Sequence, residues 1–261
     1  MLKLLVIDGP SIVRRVYEAS PEPDSAEKAE IALRHALSSF KKLLHVHAPS
    51  HVMVAFEAHD MGQTPVQNWR QALHQPYQHA MMPSFLQQAL PAWQQQLQYL
   101  GLHCVHVPGV EVVDMLATVV LRWLAEERGE AVICSNHRLL HCLVAQGAVV
   151  WDHFKQENHD GAWVEKKFGV QASQLPDLLA LVGDSAEGVP GVAKIGMKTA
   201  AKLLQSYGDI PGILAGAGIL SDKIGKQLRQ ERAALEISRQ LMRLKSDVVL
   251  GVTWKMLAHN F

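Results

Sequence analysis

Short apolar runs that stop at a polar residue recur through the first 152 residues: "KLLVIDG", "HVMVAFE", "AVICSN" and "AVVWD". Between them lie stretches with the 3.6-residue period of an amphipathic helix, among them "SAEKAEIALRHALSSFKKLLHVH" and "VVDMLATVVLRWLAEERGE". Strand–helix alternation of this kind argues for an α/β fold, a parallel-sheet core flanked by helices on both faces. In such sheets ligands sit beyond the carboxyl ends of the strands. Asp8, Glu57 and the Ser135–His137 stretch fall at those ends. Glu111 and Asp114 are three residues apart and share a face at the start of a helix.

From about Leu175 the strand signals vanish and short helices separated by glycine turns take over. We place an α/β domain at 1–174 and a helical, helix–hairpin–helix subdomain at 175–261. Residues 58–92 are polar and interrupted by prolines, and read as a long connection or mobile insert rather than core. The formal net charge is zero, but residues 190–245 hold ten bases against four acids. A basic face of this kind favours a polyanion partner, with plain solvated helix as the other reading. No apolar run approaches a membrane span, and the acid at position 8 ends the first one too early for a signal peptide. Three cysteines without C-x-x-C spacing fit a reducing cytoplasm.

The run "LVGDSAEGVPGVAKIGMKTAAKLL" at 181–204 places Asp184 and Glu187 ahead of a glycine turn and a lysine-bearing helix. Gly191 and Gly196 permit tight backbone angles and a close approach of amide N–H groups to a phosphate. Lys194, Ile195, Gly196, Met197, Lys198 and Thr199 would then grip duplex backbone without reading bases. A structural helical hairpin with incidental lysines is the alternative. The acids carry a separate argument. Two unit charges 4 Å apart repel by roughly 4 kcal/mol at an effective dielectric of about 20, so a crowd of carboxylates at strand ends implies a cation between them. Hard cations such as Mg²⁺ take oxygen ligands, and two of them can share the hydrolysis of a phosphodiester. Asp8 has an alternative reading as a helix N-cap.

These stretches together, with "NWR", "EVVDMLATVV", "WDHF" and "KFGVQASQLPDLLALVGD", resemble the Xni-type (exonuclease IX-like) flap endonucleases of the 5′-nuclease superfamily in order and spacing over nearly the whole chain. The resemblance implies a PIN-like core and structure-specific cleavage of branched or 5′-flap DNA in replication and repair. It implies Mg²⁺ at Asp8, Glu57, Glu111, Asp114 and Asp184, and a scissile phosphate steered by Arg70. It implies K⁺ on the backbone carbonyls of Leu181, Val182, Pro190, Val192 and Ile195. It also implies an arch at 58–92, through which a single-stranded flap passes. Relatives place acids where this chain has Val113, Asn136 and Arg138, so one Mg²⁺ site is expected rather than two, and a weakened nuclease. Arg70 is the only Lys or Arg between Lys42 and Arg122, which leaves Trp69 and Tyr77 as candidates for stacking on bases. Three functions stay open: a monomeric flap endonuclease, a catalytically impaired relative that binds branched DNA, and a small-molecule phosphatase on the same kind of sheet.

Overall fold

The computed structural model of the chain describes residues 2–78, 81–217 and 223–259. In chain order the first elements are β1 (Leu2–Asp8), α1 (Gly9–Ala19), α2 (Ala26–His47), β2 (His51–Ala55), α3 (Trp69–Leu73), α4 (Ser84–Tyr99) and β3 (His103–Val105). Then come α5 (Val112–Ala125), β4 (Gly129–Cys134), a 3-10 segment (Arg138–Gln146), β5 (Val149–Asp152), β6 (Glu157–His159) and α6 (Gly161–Phe168). The remainder is helical: α7 (Leu175–Val182), α8 (Met197–Tyr207), α9 (Ile210–Ala217), α10 (Lys223–Gln230), α11 (Arg232–Leu241) and α12 (Trp254–Leu257).

The strands form one sheet in the order β3-β2-β1-β4-β5-β6. All neighbouring pairs are parallel except β5–β6. Period-2 alternation sorts β1 onto two cores. Leu5 and Ile7 face the side covered by α1, α2 and α4, while Leu4 and Val6 face α5 with Met115, Val119 and Trp123. Burial on both faces explains why the first strand reads as a continuous apolar run. The antiparallel β6 was not foreseen, because "ENH" carries no β-like apolar pattern.

A third core joins α6 to α11, with Leu139 of the 3-10 segment wedged into it. Beyond Leu241 the chain leaves those helices and returns to the sheet. Leu250, Val252, Trp254 and Leu257 pack in the α5 core, Ala258 bridges His51, and His259 N–H donates to the Ser50 carbonyl at 2.8 Å. The segment 58–92, of which residues 79 and 80 lie outside the described set, is more embedded than its composition suggests. It contains α3 and the first turns of α4, with Arg70, Tyr77, Leu86 and Leu90 buried. Asn68, Arg70 and Tyr77 reach the Glu111 carboxylate, and Leu86 and Leu90 hold α4 in the core it shares with α1 and α2.

Candidate active site

Asp8 ends β1 and caps α1, accepting the Ser11 N–H at 3.0 Å on Oδ1. The capping reading is therefore part of the answer. Its other oxygen takes the Ser135 hydroxyl at 2.6 Å, from the end of β4. Glu57, just past β2, accepts the Val112 N–H at 3.0 Å, so its carboxylate sits on the N-terminus of α5. Both acids line an open cleft of about 410 Å³ with Val113, Asn136, His137 and Glu187. Arg14 and Arg15 of α1 line it too, Arg14 donating to the Met81 carbonyl and Arg15 lying 4.4 Å over the Phe154 ring. The sequence reading did not use these two arginines, although "RR" lies six and seven residues after the first strand-end acid, on the helix that acid caps.

Glu111 and Asp114 do share a face, as their spacing predicts, but that face is turned toward Arg70. The Arg70 Nη1 donates to Glu111 Oε2 at 2.6 Å and to Asp114 Oδ2 at 2.9 Å. Its Nη2 reaches Asp114 Oδ1 at 3.0 Å and the Arg243 carbonyl at 2.8 Å, and Nε reaches the Leu241 carbonyl at 2.9 Å. All five N–H donors are thereby used, and Arg70 is 1% exposed. The expected role of Arg70 as a guide for the scissile phosphate needs outward-facing donors, and here there are none. Asp114 is fully buried and also accepts from Trp69 Nε1 (2.8 Å) and the Lys245 N–H (2.9 Å). Both its oxygens are engaged, so Asp114 serves as the counter-ion of Arg70 instead of the expected open metal ligand. The aromatics are likewise unavailable for stacking on bases. Tyr77 is buried and donates to Glu111 at 3.2 Å, and the Arg70 and Lys245 cations lie over the Trp69 ring at 4.4 and 5.2 Å. Asn68, which sequence reasoning passed over, donates to the other Glu111 oxygen at 2.7 Å.

Asp184 and Val189 close a tight turn through paired backbone hydrogen bonds. Asp184 Oδ1 accepts the Ala186 N–H at 3.0 Å, and Oδ2 takes a hydrogen bond from Arg138. One positive charge thus already meets this acid. Glu187 turns instead to the cleft, and links it to a smaller hollow shared with Asp184, Arg138 and Asn136. The glycines of the turn are dictated by backbone contact. Gly183 and Gly191 have φ of 72° and 66°, and a Cβ on Gly191 would stand 2.6 Å from the Val182 carbonyl oxygen. Gly196 differs from expectation: its φ of −92° suits any residue. Open space surrounds the position of its missing Cβ, and α8 has no side-chain cap. Its first N–H groups therefore face outward beside exposed Lys194 and Lys198. Ser238 of α11 fixes the loop by accepting the Gly191 N–H at 2.8 Å.

The cleft carboxyls are short of positive charge. Burial, reinforced by Glu111, Asp60 and Asp8, pushes Glu57 from 4.5 up to about 8. Burial pushes Glu111 up to about 7 even with Arg70 beside it, and raises Asp8 and Glu187. An all-oxygen donor set that resists ionisation fits a hard divalent cation. The fit rests on Asp8 and Glu57; Glu111 and Asp114 are spoken for by Arg70, and Asp184 by Arg138. The predicted acids are also spaced more loosely than a closed metal cage. Among the described residues, the one trio of His, Cys, Asp or Glu whose ligand atoms all lie within 4.8 Å is Asp152, Glu157 and His159, elsewhere in the sheet.

Comparison with known proteins settles the family. Residues 3–169 match the 5′-3′ exonuclease N-terminal resolvase-like domain, and residues 170–260 match the 5′-3′ exonuclease C-terminal SAM fold. The chain belongs to the 5′-3′ exonuclease family. Its curated relatives include flap endonuclease Xni of Shewanella baltica (strain OS155), 34% identical over 98% of this chain and 94% of that protein. The protein of the same name from Shewanella sp. (strain ANA-3) is 33% identical over 98% and 95%. Among solved structures, the bacteriophage T5 D15 protein co-crystallised with metal ions superposes with a TM-score of 0.74 at 15% identity, covering 92% of this chain and 89% of that one. The catalytic core of Rad2 in complex with DNA substrate gives 0.55 at 12% identity, covering 96% and 83%. At those identities the likeness is one of fold, and it places this 5′-3′ exonuclease relative on the same α/β frame with its helical second part.

Proposed function

We propose that this member of the 5′-3′ exonuclease family is a metal-dependent, structure-specific 5′-flap endonuclease acting on branched DNA in replication and repair, as a cytoplasmic monomer. Its relatives at 34% identity carry the name flap endonuclease over nearly their whole length. The observation that carries the reading is the cleft, lined by Asp8, Glu57 and Glu187 together with Arg14 and Arg15. A nuclease needs both: carboxylates for a cation and cations for the substrate's phosphates. When bound, Mg²⁺ supplies an activated water and offsets charge on the reacting phosphate. Asp8 and Glu57 would hold it, with Ser135 orienting the first, while Glu111 stands behind them on Arg70 and Asn68. Arg14 and Arg15 add positive charge to the same cleft, although Arg14 also meets Glu18 and the Met81 carbonyl. Residues 58–92 serve as the arch, and Asp184 works through Arg138 and not as a ligand of a second metal.

The segment Lys194–Thr199 grips duplex backbone through the open end of α8 and two lysines. The carbonyls of Leu181, Val182, Pro190, Val192 and Ile195 are the proposed K⁺ ligands. The Leu181 and Val192 carbonyls accept the Val192 and Ile195 N–H groups at 2.8 and 3.1 Å, which aims them within the loop and leaves each a second lone pair. The close approach enforced by Gly183 and Gly191 forms a cradle that any side chain would fill.

One reading competes. Val113 and Asn136 line the cleft where carboxylates would strengthen it, and Arg138 neutralises Asp184, which favours a relative that binds branched DNA without cutting. A flap-cleavage assay in Mg²⁺ or Mn²⁺ separates the two. Asp8→Asn should abolish cutting at unchanged fold, whereas equal trace cutting by wild type and variant would leave the binding protein. Asp114→Ala is the poorer probe, because it strands Arg70. Lys194→Ala with Lys198→Ala should weaken binding and flatten its salt dependence by about 0.9 log unit per lost phosphate contact.

A further inference from the structure

At the far edge of the sheet, β5 and β6 bring Asp152, Glu157 and His159 together, with one ligand atom from each inside a 4.8 Å circle. None of the three lines the cleft. Asp152 and His159 are buried, and Glu157 is half-buried. Asp152 Oδ1 is held by the Phe154 and Lys155 N–H groups at 3.0 and 3.1 Å, which fixes the carboxylate and leaves Oδ2 toward the trio. The His159 ring is stacked on Trp163 with centroids 3.5 Å apart, so its orientation is fixed as well.

The hydrogen bonds dictate which nitrogen carries the proton. His141 Nδ1 lies 3.1 Å from the Arg138 carbonyl, which can only accept, so His141 donates there and its Nε2 is left as an acceptor. His159 Nδ1 lies 2.9 Å from that Nε2 and must donate to it. The other nitrogen of His159, Nε2, is thereby aimed at Glu157 Oε1, 3.1 Å away, the edge of the ring that a metal would take. In tetrahedral coordination, bonds of about 2.0–2.2 Å put neighbouring ligand atoms about 3.3–3.6 Å apart, close to the 3.1 Å between His159 Nε2 and Glu157 Oε1 and within the 4.8 Å that spans the trio. An imidazole locked through its far nitrogen, beside two carboxylates, is how zinc ligands are oriented.

We propose that Asp152 Oδ2, Glu157 and His159 Nε2 form a binding site for a borderline divalent ion of the Zn²⁺ class, with solvent in the fourth position and His141 as the positioning residue. The site clips the β5–β6 hairpin. Through His141 it also braces the carbonyl of Arg138, whose side chain holds Asp184. Lys155 is its built-in competitor: Nζ lies 3.7 Å from both Asp152 Oδ2 and Glu157 Oε1, on a side chain more than half exposed that swings away when the metal enters.

The test is Zn²⁺ titration calorimetry on the full, tag-free chain, with Co²⁺ absorbance as a second readout. Glu157→Gln keeps the buried ring and leaves the fold unthreatened. It should lose one equivalent of Zn²⁺, while Asp8→Asn keeps that equivalent, so the result is independent of the nuclease cleft. Lys155→Gln should tighten binding, and His141→Phe should weaken it by about 10- to 100-fold. A Zn²⁺ stoichiometry and affinity unchanged in Glu157→Gln would overturn the proposal. So would nitrogen NMR showing His159 protonated at both ring positions with Zn²⁺ in excess, since Nε2 would then donate to Glu157 instead of binding the ion.

Discussion

Arg70 meets two buried carboxylates and two main-chain carbonyls with one planar fork, a geometry that an ammonium cannot copy. Breaking a buried ion pair from one side leaves an uncompensated charge and typically costs about 3–5 kcal/mol. Arg70→Met should therefore lose stability of that order in urea unfolding, and Arg70→Lys should recover little of it. Glu57 gives a second prediction at this scale. Its folded carboxyl titrates near 8 against an ordinary 4.5, so between those values the native state holds the extra proton. The stability it contributes is then lost as pH rises, by about 1.4 kcal/mol per pH unit. Measured without divalent ions from pH 5.5 to 8, wild type should lose stability relative to Glu57→Gln, and Mg²⁺ should shrink the difference. A flat difference would mean that the carboxylate is already compensated.

The hairpin between α7 and α8 is defined by backbone meeting backbone. Gly191→Ala would set a methyl 2.6 Å from the Val182 oxygen and 2.7 Å from the Gly183 N, at a φ that side chains resist. Strain of about 1–3 kcal/mol is the usual size of such a residue's cost, and here the displaced carbonyls are the proposed K⁺ ligands. The variant should fold with a lowered melting temperature and should lose the K⁺ dependence of duplex binding, as read by fluorescence anisotropy in K⁺ against Na⁺. Gly196→Ala makes the control, since its position is open and its angle ordinary. Lys194 itself sits at φ 67°, a conformation costly for a side chain. That places its ammonium at the tip of the loop, as strain at a binding site commonly does.

Across the whole molecule, the sequence exposed what depends on local pattern. Apolar runs marked the buried parallel strands, and the strand-end positions of Asp8 and Glu57 put both in one cleft. It could not expose pairings made over long separations. Arg70 reaches carbonyls 171 and 173 residues away, and Asp114 accepts an N–H 131 residues on, with nothing near either residue to announce it. The same reach makes the two parts of the chain interdependent. Deleting residues 242–261 removes the Lys245 and Arg243 contacts together with the Trp254 and Leu257 packing. The remainder should show the broad NMR dispersion loss of a poorly packed chain, not an intact nuclease core. There is a consequence for biosynthesis. Asp114 and Glu111 leave the ribosome more than a hundred residues before the Leu241–Lys245 strap that seats their arginine, so the nascent chain carries two uncompensated buried carboxyls until that strap has been made.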